Sequence, residues 1–185
     1  MKIDGDFDCL CQEIEKKDTK LIGLSLMSYR FLSHYELMEN IKSKFPHIPI
    51  VVGGPHLSLY REDVLRRCKA VDFGVVLEGD ETIIELCNSI DDPSDIKGLL
   101  YRVSSPEEVG ISDPGDRLSF IRDLEKDRPG KVTKIKELRF YSGDSADGSG
   151  IVYTGDRPYI EDIEKIGWPK YSSFDLSKYQ YLTRS

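Results

Sequence analysis

Hydrophobic residues follow two different spacings along the first hundred positions of the chain. Short apolar runs of strand length lie at residues 21–27, 48–52, 71–77 and 98–103. Between them, apolar residues recur at steps of three and four, as in the helix predicted from Leu32 to Phe45, which ends before Pro46. Strands that alternate with helices of this length predict βαβ units with right-handed crossovers. We therefore predict an α/β fold with a doubly wound parallel sheet, of the flavodoxin-like or Rossmann-like kind.

The two ends of the chain differ from this pattern. Phe7, Leu10, Cys11 and Ile14 recur at helical spacing behind Asp6, a candidate N-cap, so the chain is expected to begin with a helix. Beyond residue 103 the sequence becomes polar and rich in turn residues, with two apolar runs, 138–141 and 151–154, that are predicted to pair as a hairpin. The expected division is an α/β domain at 1–103, a polar insert at 104–156 and an extended connector at 157–185.

Charge and cysteine content narrow the class of protein. The net charge of −7 argues against a nucleic-acid partner, because proteins usually bind the phosphates of nucleic acid through clustered Lys and Arg side chains. The apolar runs are far shorter than the ~20 residues of a membrane span, so no membrane partner and a cytoplasmic location are expected. The four cysteines are interpreted as reduced thiols, and no C-x-x-x-C-x-x-C triplet is present to hold an iron–sulfur cluster.

Candidate binding residues follow the predicted strands. In an open α/β sheet, ligands bind beyond the carboxyl ends of the strands, where the strand order reverses. The loops in question offer hydroxyls at Ser25 and Ser28, bare backbone at Gly53 and Gly54, and the pair Glu78-Gly79. Each also has an ordinary explanation, since a Gly-Gly-Pro sequence often ends a strand and Asp80 is a natural N-cap.

Four segments in order, Gly23-Leu-Ser-Leu-Met27, Val51-Val-Gly-Gly-Pro-His56, residues 71–81 and Gly98-Leu-Leu-Tyr-Arg102, resemble the cobalamin-binding domain at the front of radical S-adenosylmethionine enzymes. Residues 157–163, 168–171 and 174–179 look like the family's connector, which runs into a radical catalytic barrel. The resemblance implies that cobalamin is the cofactor and that the partner is a radical catalytic domain C-terminal to this segment. An iron–sulfur cluster and S-adenosylmethionine would belong to that domain of a parent enzyme.

The resemblance also implies roles for individual residues. Ser25 and Met27 match the serine motif beside the nucleotide tail of cobalamin, and Gly53 and Gly54 match the glycine pair against which the tail lies. The candidate cofactor-binding residues are Ser25, Met27, Ser28, Gly53, Gly54, Pro55, His56, Glu78 and Gly79. The chain departs from the family's pattern in two places: no opening strand is recognisable at 1–6, and the polar insert is long.

No metal ligand and no catalytic residue is assigned. The histidine motif D-x-H-x-x-G, which supplies the lower cobalt ligand in the methionine-synthase type of domain, does not occur, and His56 is the histidine nearest the expected crevice. The predicted function is a cobalamin-binding module of a radical S-adenosylmethionine enzyme, of methyltransferase or oxidoreductase type, that is not catalytic alone. The alternatives are a flavodoxin-like docking or recognition domain that binds no corrin, and an enzyme that uses Glu78, Asp80 and His56 as acid–base groups.

Overall fold

A computed structural model describes residues 3–105, 108, 139–142, 149–162, 164 and 166–167. Short strands and helices alternate through the first hundred of these residues. A single turn of 3-10 helix, Ser28–Arg30, follows the first strand. The elements are α1 (Ile3–Lys16), β1 (Ile22–Ser25), α2 (Phe31–Lys44), β2 (Ile50–Gly53), α3 (Pro55–Tyr60), α4 (Glu62–Arg67), β3 (Phe73–Val75), α5 (Asp80–Asn88), β4 (Leu99–Val103), β5 (Arg139–Ser142) and β6 (Gly150–Tyr153).

The strands form one six-stranded mixed sheet in the order β1-β2-β3-β4-β6-β5. The first three strands are parallel, and helices cover both faces: α1 to α4 pack on the larger core cluster and α5 on the smaller one. This arrangement confirms the predicted α/β fold of flavodoxin-like or Rossmann-like type. The strand order does not reverse between β1 and β3, so these described strands contain no crevice of the kind expected at a reversal.

The fourth strand runs in the opposite direction from the one predicted. β4 pairs antiparallel with β3, whereas the alternation of strands and helices predicted a parallel neighbour. The reason lies in the segment after α5, which returns the chain to the edge where β3 ends: the backbone N–H of Val76 donates to the carbonyl of Gly98 at 2.9 Å. A strand that starts at this edge has to run antiparallel to β3.

The first strand is covered on one face only. Ile22 and Leu24 pack against the larger core, but Gly23 and Ser25 on the other face are exposed. An apolar run without alternation predicts a strand that is buried on both faces. This expectation is wrong for β1, although it holds for β2, in which residues 50–52 are all buried. Because α5 packs over β3 and β4, the neighbouring face of β1 is left open.

The helices agree with the predicted pattern more closely in position than in orientation. In α2, Tyr35, Met38 and Ile41 are buried as expected, whereas Leu32 is 70 % exposed. The sequence suggested Asp6 as an N-cap, but α1 already begins at Ile3. In α5, Leu86 is buried and Ile83 packs against the same core cluster, whereas Cys87 is exposed.

The predicted hairpin is confirmed by the antiparallel pairing of β5 with β6. β6 also pairs antiparallel with β4, which joins the hairpin to the main sheet. The described residues from Thr154 to Asp162 contain no helix or strand. The division of the chain at 103 and 156 stays a prediction. Most of the insert and the motifs at 168–171 and 174–179 lie outside the described residues.

Candidate functional site

An open groove lies on the uncovered sheet face, at the carboxyl ends of the three parallel strands. It has a volume of about 340 Å³. The ends of β1 and β2 form its floor, and the start of α5 forms a wall beside them. The lining residues are Gly23, Leu24, Ser25, Val51, Val52, Gly53, Gly54, Val75, Gly79, Asp80 and Ile83.

Small residues on two neighbouring strands make the floor of the groove. The strand register places Gly23 beside Val51 and Ser25 beside Gly53. A Cβ built at Gly53 would come no closer than 3.7 Å to another residue, the carbonyl oxygen of Val75, and one built at Gly23 would lie 3.7 Å from the Val51 side chain. These are ordinary contact distances. The fold therefore tolerates a side chain at either position, and its absence leaves flat, bare backbone facing the groove.

Gly54 has a different role from Gly53. Its φ is +90°, and a Cβ there would lie 2.7 Å from Ser25 Oγ and 3.0 Å from both the backbone N and O of Leu26. At this position the chain leaving β2 crosses closely over the chain leaving β1. The missing side chain at Gly54 is thus a requirement of the fold.

The wall beside the groove floor is the beginning of α5. Gly79 packs so closely on β3 that a Cβ there would lie 2.8 Å from a methyl carbon of Val75. Arg157, from the extended segment after β6, donates to Thr82 Oγ1 at 2.9 Å, to Glu81 Oε2 at 2.8 Å and to Glu85. The extended segment thereby holds α5 from the side opposite the groove floor.

His56 and Ser28 lie outside this groove, on the α2 to α4 side of the sheet. His56 is only 5 % exposed, belongs to helix α3 and does not line the groove, whereas the sequence analysis placed it nearest the expected crevice. Its Nδ1 lies 3.2 Å from Ser28 Oγ, and its Nε2 lies 3.3 Å from the hydroxyl of Tyr35. Both ring nitrogens therefore already have hydrogen-bond partners within the protein.

The remaining predicted residues stand at the margins of the groove. Met27 follows β1 and is 40 % exposed, and Pro55 is the first residue of α3. Glu78 accepts a hydrogen bond from the backbone N–H of Ile160 at 2.8 Å, so its carboxylate anchors the extended segment. Among the predicted cofactor-binding residues, the groove brings together Ser25, Gly53, Gly54 and Gly79.

Sequence reasoning missed part of the groove. Gly23, Val51 and Ile83 line it but were not selected. A signal for two of them was present, because residues two apart on a strand face the same side, so Gly23 shares a face with Ser25, and Val51 shares one with Gly53. No comparable signal marked Ile83, whose position depends on the angle at which α5 packs.

The lining of the groove suits a flat, largely apolar group better than a highly charged substrate. A flat heteroaromatic ring needs close approach to backbone on one side and apolar contact on the other, which Gly53 and Ile83 supply. Asp80 is the charged residue among those that line it. In the part of the chain that the structure describes, no three His, Cys, Asp or Glu side chains cluster closely enough to hold a metal ion. Nor does that part contain a helix with the length and apolar character needed to cross a membrane.

Comparison with known proteins indicates cobalamin as the ligand. Residues 3–87 match the family model of the B12 binding domain. The chain is also 27 % identical, over 97 residues, to an uncharacterized methyltransferase of Pyrococcus horikoshii. This similarity covers 52 % of the chain and 21 % of the relative, so the chain spans about a fifth of the length of the curated protein that it matches. These matches support cobalamin as the ligand and the α/β fold that carries it.

Proposed function

We propose that this chain is a cobalamin-binding module that presents the cofactor to a radical S-adenosylmethionine catalytic domain and is not catalytic alone. The observation that carries the proposal is the groove floor, where Gly23, Ser25 and Gly53 leave backbone exposed beside the apolar side chain of Ile83. The match of residues 3–87 to the B12 binding domain supports the same ligand. Cobalamin would supply a reactive cobalt centre, and this chain would bind the tail and orient the corrin.

The parent enzyme is proposed to be a methyltransferase, with an oxidoreductase as the second possibility. The name of the Pyrococcus horikoshii relative favours methyl transfer. The resemblance of residues 157–163, 168–171 and 174–179 to the connector of radical enzymes supports a radical catalytic partner downstream. In this proposal the iron–sulfur cluster and S-adenosylmethionine bind to that partner. A cytoplasmic location stays a prediction from the sequence.

A docking domain that binds no corrin is the second candidate. The observation in its favour is a set of exposed apolar side chains near the groove end of the sheet: Met27 is 40 % exposed, Leu59 is 69 % exposed and Leu77 is 38 % exposed. The same residues would also suit the edge of a corrin ring, so they are compatible with both candidate functions. The match to the B12 binding domain makes cofactor binding the better supported function.

An acid–base enzyme built on Glu78, Asp80 and His56 does not fit the structure. Glu78 binds the backbone of Ile160, and His56 is enclosed on the other side of the sheet between two hydroxyl partners. Asp80 lines the groove while His56 does not. General acid–base catalysis needs groups within reach of one substrate, which this arrangement does not provide.

The test is a spectroscopic titration of the purified chain with hydroxocobalamin, comparing wild type, Gly53→Val and Gly167→Val. A valine at Gly53 projects into the groove, and overpacking of about 1–3 kcal/mol corresponds to roughly a 5-fold to 150-fold loss of affinity. Gly167 is the matched control, because a Cβ there meets none of the described residues within 4 Å and it is not a groove residue.

We expect wild type and Gly167→Val to bind alike and Gly53→Val to bind more weakly at an unchanged thermal midpoint. Absence of corrin binding by the folded wild-type chain would refute the cofactor proposal and favour the docking domain. Equal affinity of Gly53→Val and wild type would place the tail elsewhere.

A further inference from the structure

His56 lies three residues beyond Gly53 of the groove floor, yet its side chain turns away into a buried aromatic cluster. The imidazole stacks on Phe31 with ring centroids 4.7 Å apart and an interplanar angle of 14°. It also packs against Tyr60 at a centroid distance of 4.7 Å. Enclosed in this way, the ring has a fixed position in the fold.

The imidazole of His56 connects the start of α3, which follows the groove residue Gly54, to the turn after β1, which follows the groove residue Ser25. Its Nδ1 contacts Ser28 Oγ at 3.2 Å, and Ser28 begins the turn after β1. Its Nε2 contacts the Tyr35 hydroxyl at 3.3 Å, on α2. The backbone N–H of His56 also donates to the carbonyl of Leu26 at 3.1 Å. The start of α3 is therefore joined to the end of β1 through both main chain and side chain.

We infer that His56 is a positioning residue of the groove: its neutral imidazole holds the turn after β1 against the start of α3 and so fixes Ser25 relative to Gly54. The contact between these two groove residues supports the inference, because the space between them is too small for one more carbon atom. Any movement of the turn changes the width of this end of the groove. The link to cofactor binding rests on the proposed function, whereas the link between the two segments does not.

The neutral form suits the surroundings of His56. A neutral imidazole offers one donor and one acceptor, and each of its hydroxyl partners can take either role. Burial is the main cause that lowers the pKa of His56 below its usual 6.5, and the charges of Arg67 and His34 lower the pKa further. The titratable groups that face or neighbour the ring are His34 and Tyr35 on α2, Tyr60 on α3, and Asp63 and Arg67 on α4.

The sign of the pH dependence follows from these shifts. The folded pKa lies below the unfolded value of 6.5, so the stabilisation is present above pH 6.5 and is lost as the pH falls through the folded pKa. Tyr35 stays protonated throughout this range, because burial raises its pKa to about 12. Acidification is therefore expected to loosen the turn after β1 through His56.

The experiment compares His56→Phe, His56→Gln and the control His47→Ala. Phenylalanine retains the stacking on Phe31 but removes both hydrogen bonds, glutamine retains a donor and an acceptor without titrating, and His47 is exposed in a turn outside the groove. Amide hydrogen exchange is measured first, in the absence of corrin. Loss of the hydrogen bond to Ser28 alone predicts roughly fivefold faster exchange in residues 24–30 of His56→Phe, with no change in β4.

Cobalamin titrations between about pH 8 and about pH 5.5, the range in which histidine titrates, provide the second measurement. We expect affinity to fall with acidification in wild type and His47→Ala and to be nearly constant in His56→Gln. Unchanged exchange in residues 24–30 of a folded His56→Phe would overturn the inference, whether or not corrin binds. A His56→Gln affinity that falls with pH as in wild type would also count against it.

Failure of the proposed function gives a distinguishable result. If the wild-type chain binds no cobalamin but residues 24–30 exchange faster in His56→Phe, the proposal of cofactor binding is refuted and the positioning role of His56 is supported. If His56→Phe does not fold, His56→Gln is used for the same exchange measurement at low pH. At low pH, amide exchange in residues 24–30 has to be slower in His56→Gln than in wild type. Equal or faster exchange would overturn the inference.

Discussion

The two adjacent glycines at the end of β2 are predicted to differ strongly in how the same substitution affects stability. Gly54→Ala places a Cβ 2.7 Å from Ser25 Oγ and 3.0 Å from the Leu26 backbone, at a φ of +90°. Gly53→Ala places a Cβ 3.7 Å from its nearest neighbour, the carbonyl oxygen of Val75. The first change introduces strain into the fold, and the second adds an ordinary contact.

The expected magnitude for Gly54→Ala has two parts. A non-glycine residue in this region of φ and ψ costs about 1–3 kcal/mol. Overpacking against backbone that cannot move away adds about 1–3 kcal/mol. We therefore expect the free energy of unfolding to fall by about 2–6 kcal/mol, which for a chain of this size lowers the thermal midpoint by roughly 5–20 °C. For Gly53→Ala we expect a change within about 0.5 kcal/mol.

Urea unfolding followed by circular dichroism measures both variants. The midpoint should move sharply for Gly54→Ala at a constant slope, because a constant slope means that the same surface is exposed on unfolding. Wild-type stability in Gly54→Ala would show that the segments leaving β1 and β2 do not cross closely at this point and that the fold does not require a glycine there. A large loss in Gly53→Ala would equally refute the distinction between the two glycines.

Three further predictions concern other parts of the chain. Arg157→Met should lower the free energy of unfolding by about 1 kcal/mol, since two of its three partners are half-exposed carboxylates and contribute little; no change in urea midpoint would contradict this. Gly23→Val should raise the free energy of unfolding by about 0.5–1 kcal/mol, as glycine weakens a strand, while it lowers cobalamin affinity in the titration described above. Reaction with a thiol reagent under native conditions should modify the exposed cysteines and spare the buried ones, one of which also has its pKa raised by burial; rapid native modification of all four would be inconsistent with the fold. The exposed cysteines are Cys9 and Cys87, and the buried ones are Cys11 and Cys68.

The periodicity of the sequence predicted where strands and helices lie, because burial of one helix face or one strand is recorded directly in the spacing of apolar residues. It did not predict the direction of β4, which depends on a hydrogen bond between Val76 and Gly98 at one edge of the sheet. That pairing is made by backbone groups, which every sequence has. Strand direction is therefore weakly encoded where a connection is short and irregular.

The candidate site was predicted in part for a similar reason. Small residues after strands identified Ser25, Gly53 and Gly54, but could not show that the fold tolerates a side chain at Gly53 and excludes one at Gly54. That difference is one of φ and of distance to the Leu26 backbone. The burial of His56 was also hidden, since its aromatic neighbours Phe31 and Tyr60 are contributed by two different helices.

The groove exists because β1, the strand at the edge of the sheet, has no helix packed on one of its faces. A larger apolar residue at Gly23 or Ser25 would extend the core over β1 and cover the face that α5 leaves open. The chain instead keeps small residues there and connects the strand from its other side, through Leu24 in the core and through the bonds that join Leu26 to Gly53 and His56. An edge strand held from one side can remain ordered while its second side is free to receive a flat ligand. The positioning role inferred for His56 and the binding role proposed for Gly53 are thus two consequences of one arrangement: the support has to lie opposite the groove, because support within it would occupy the site.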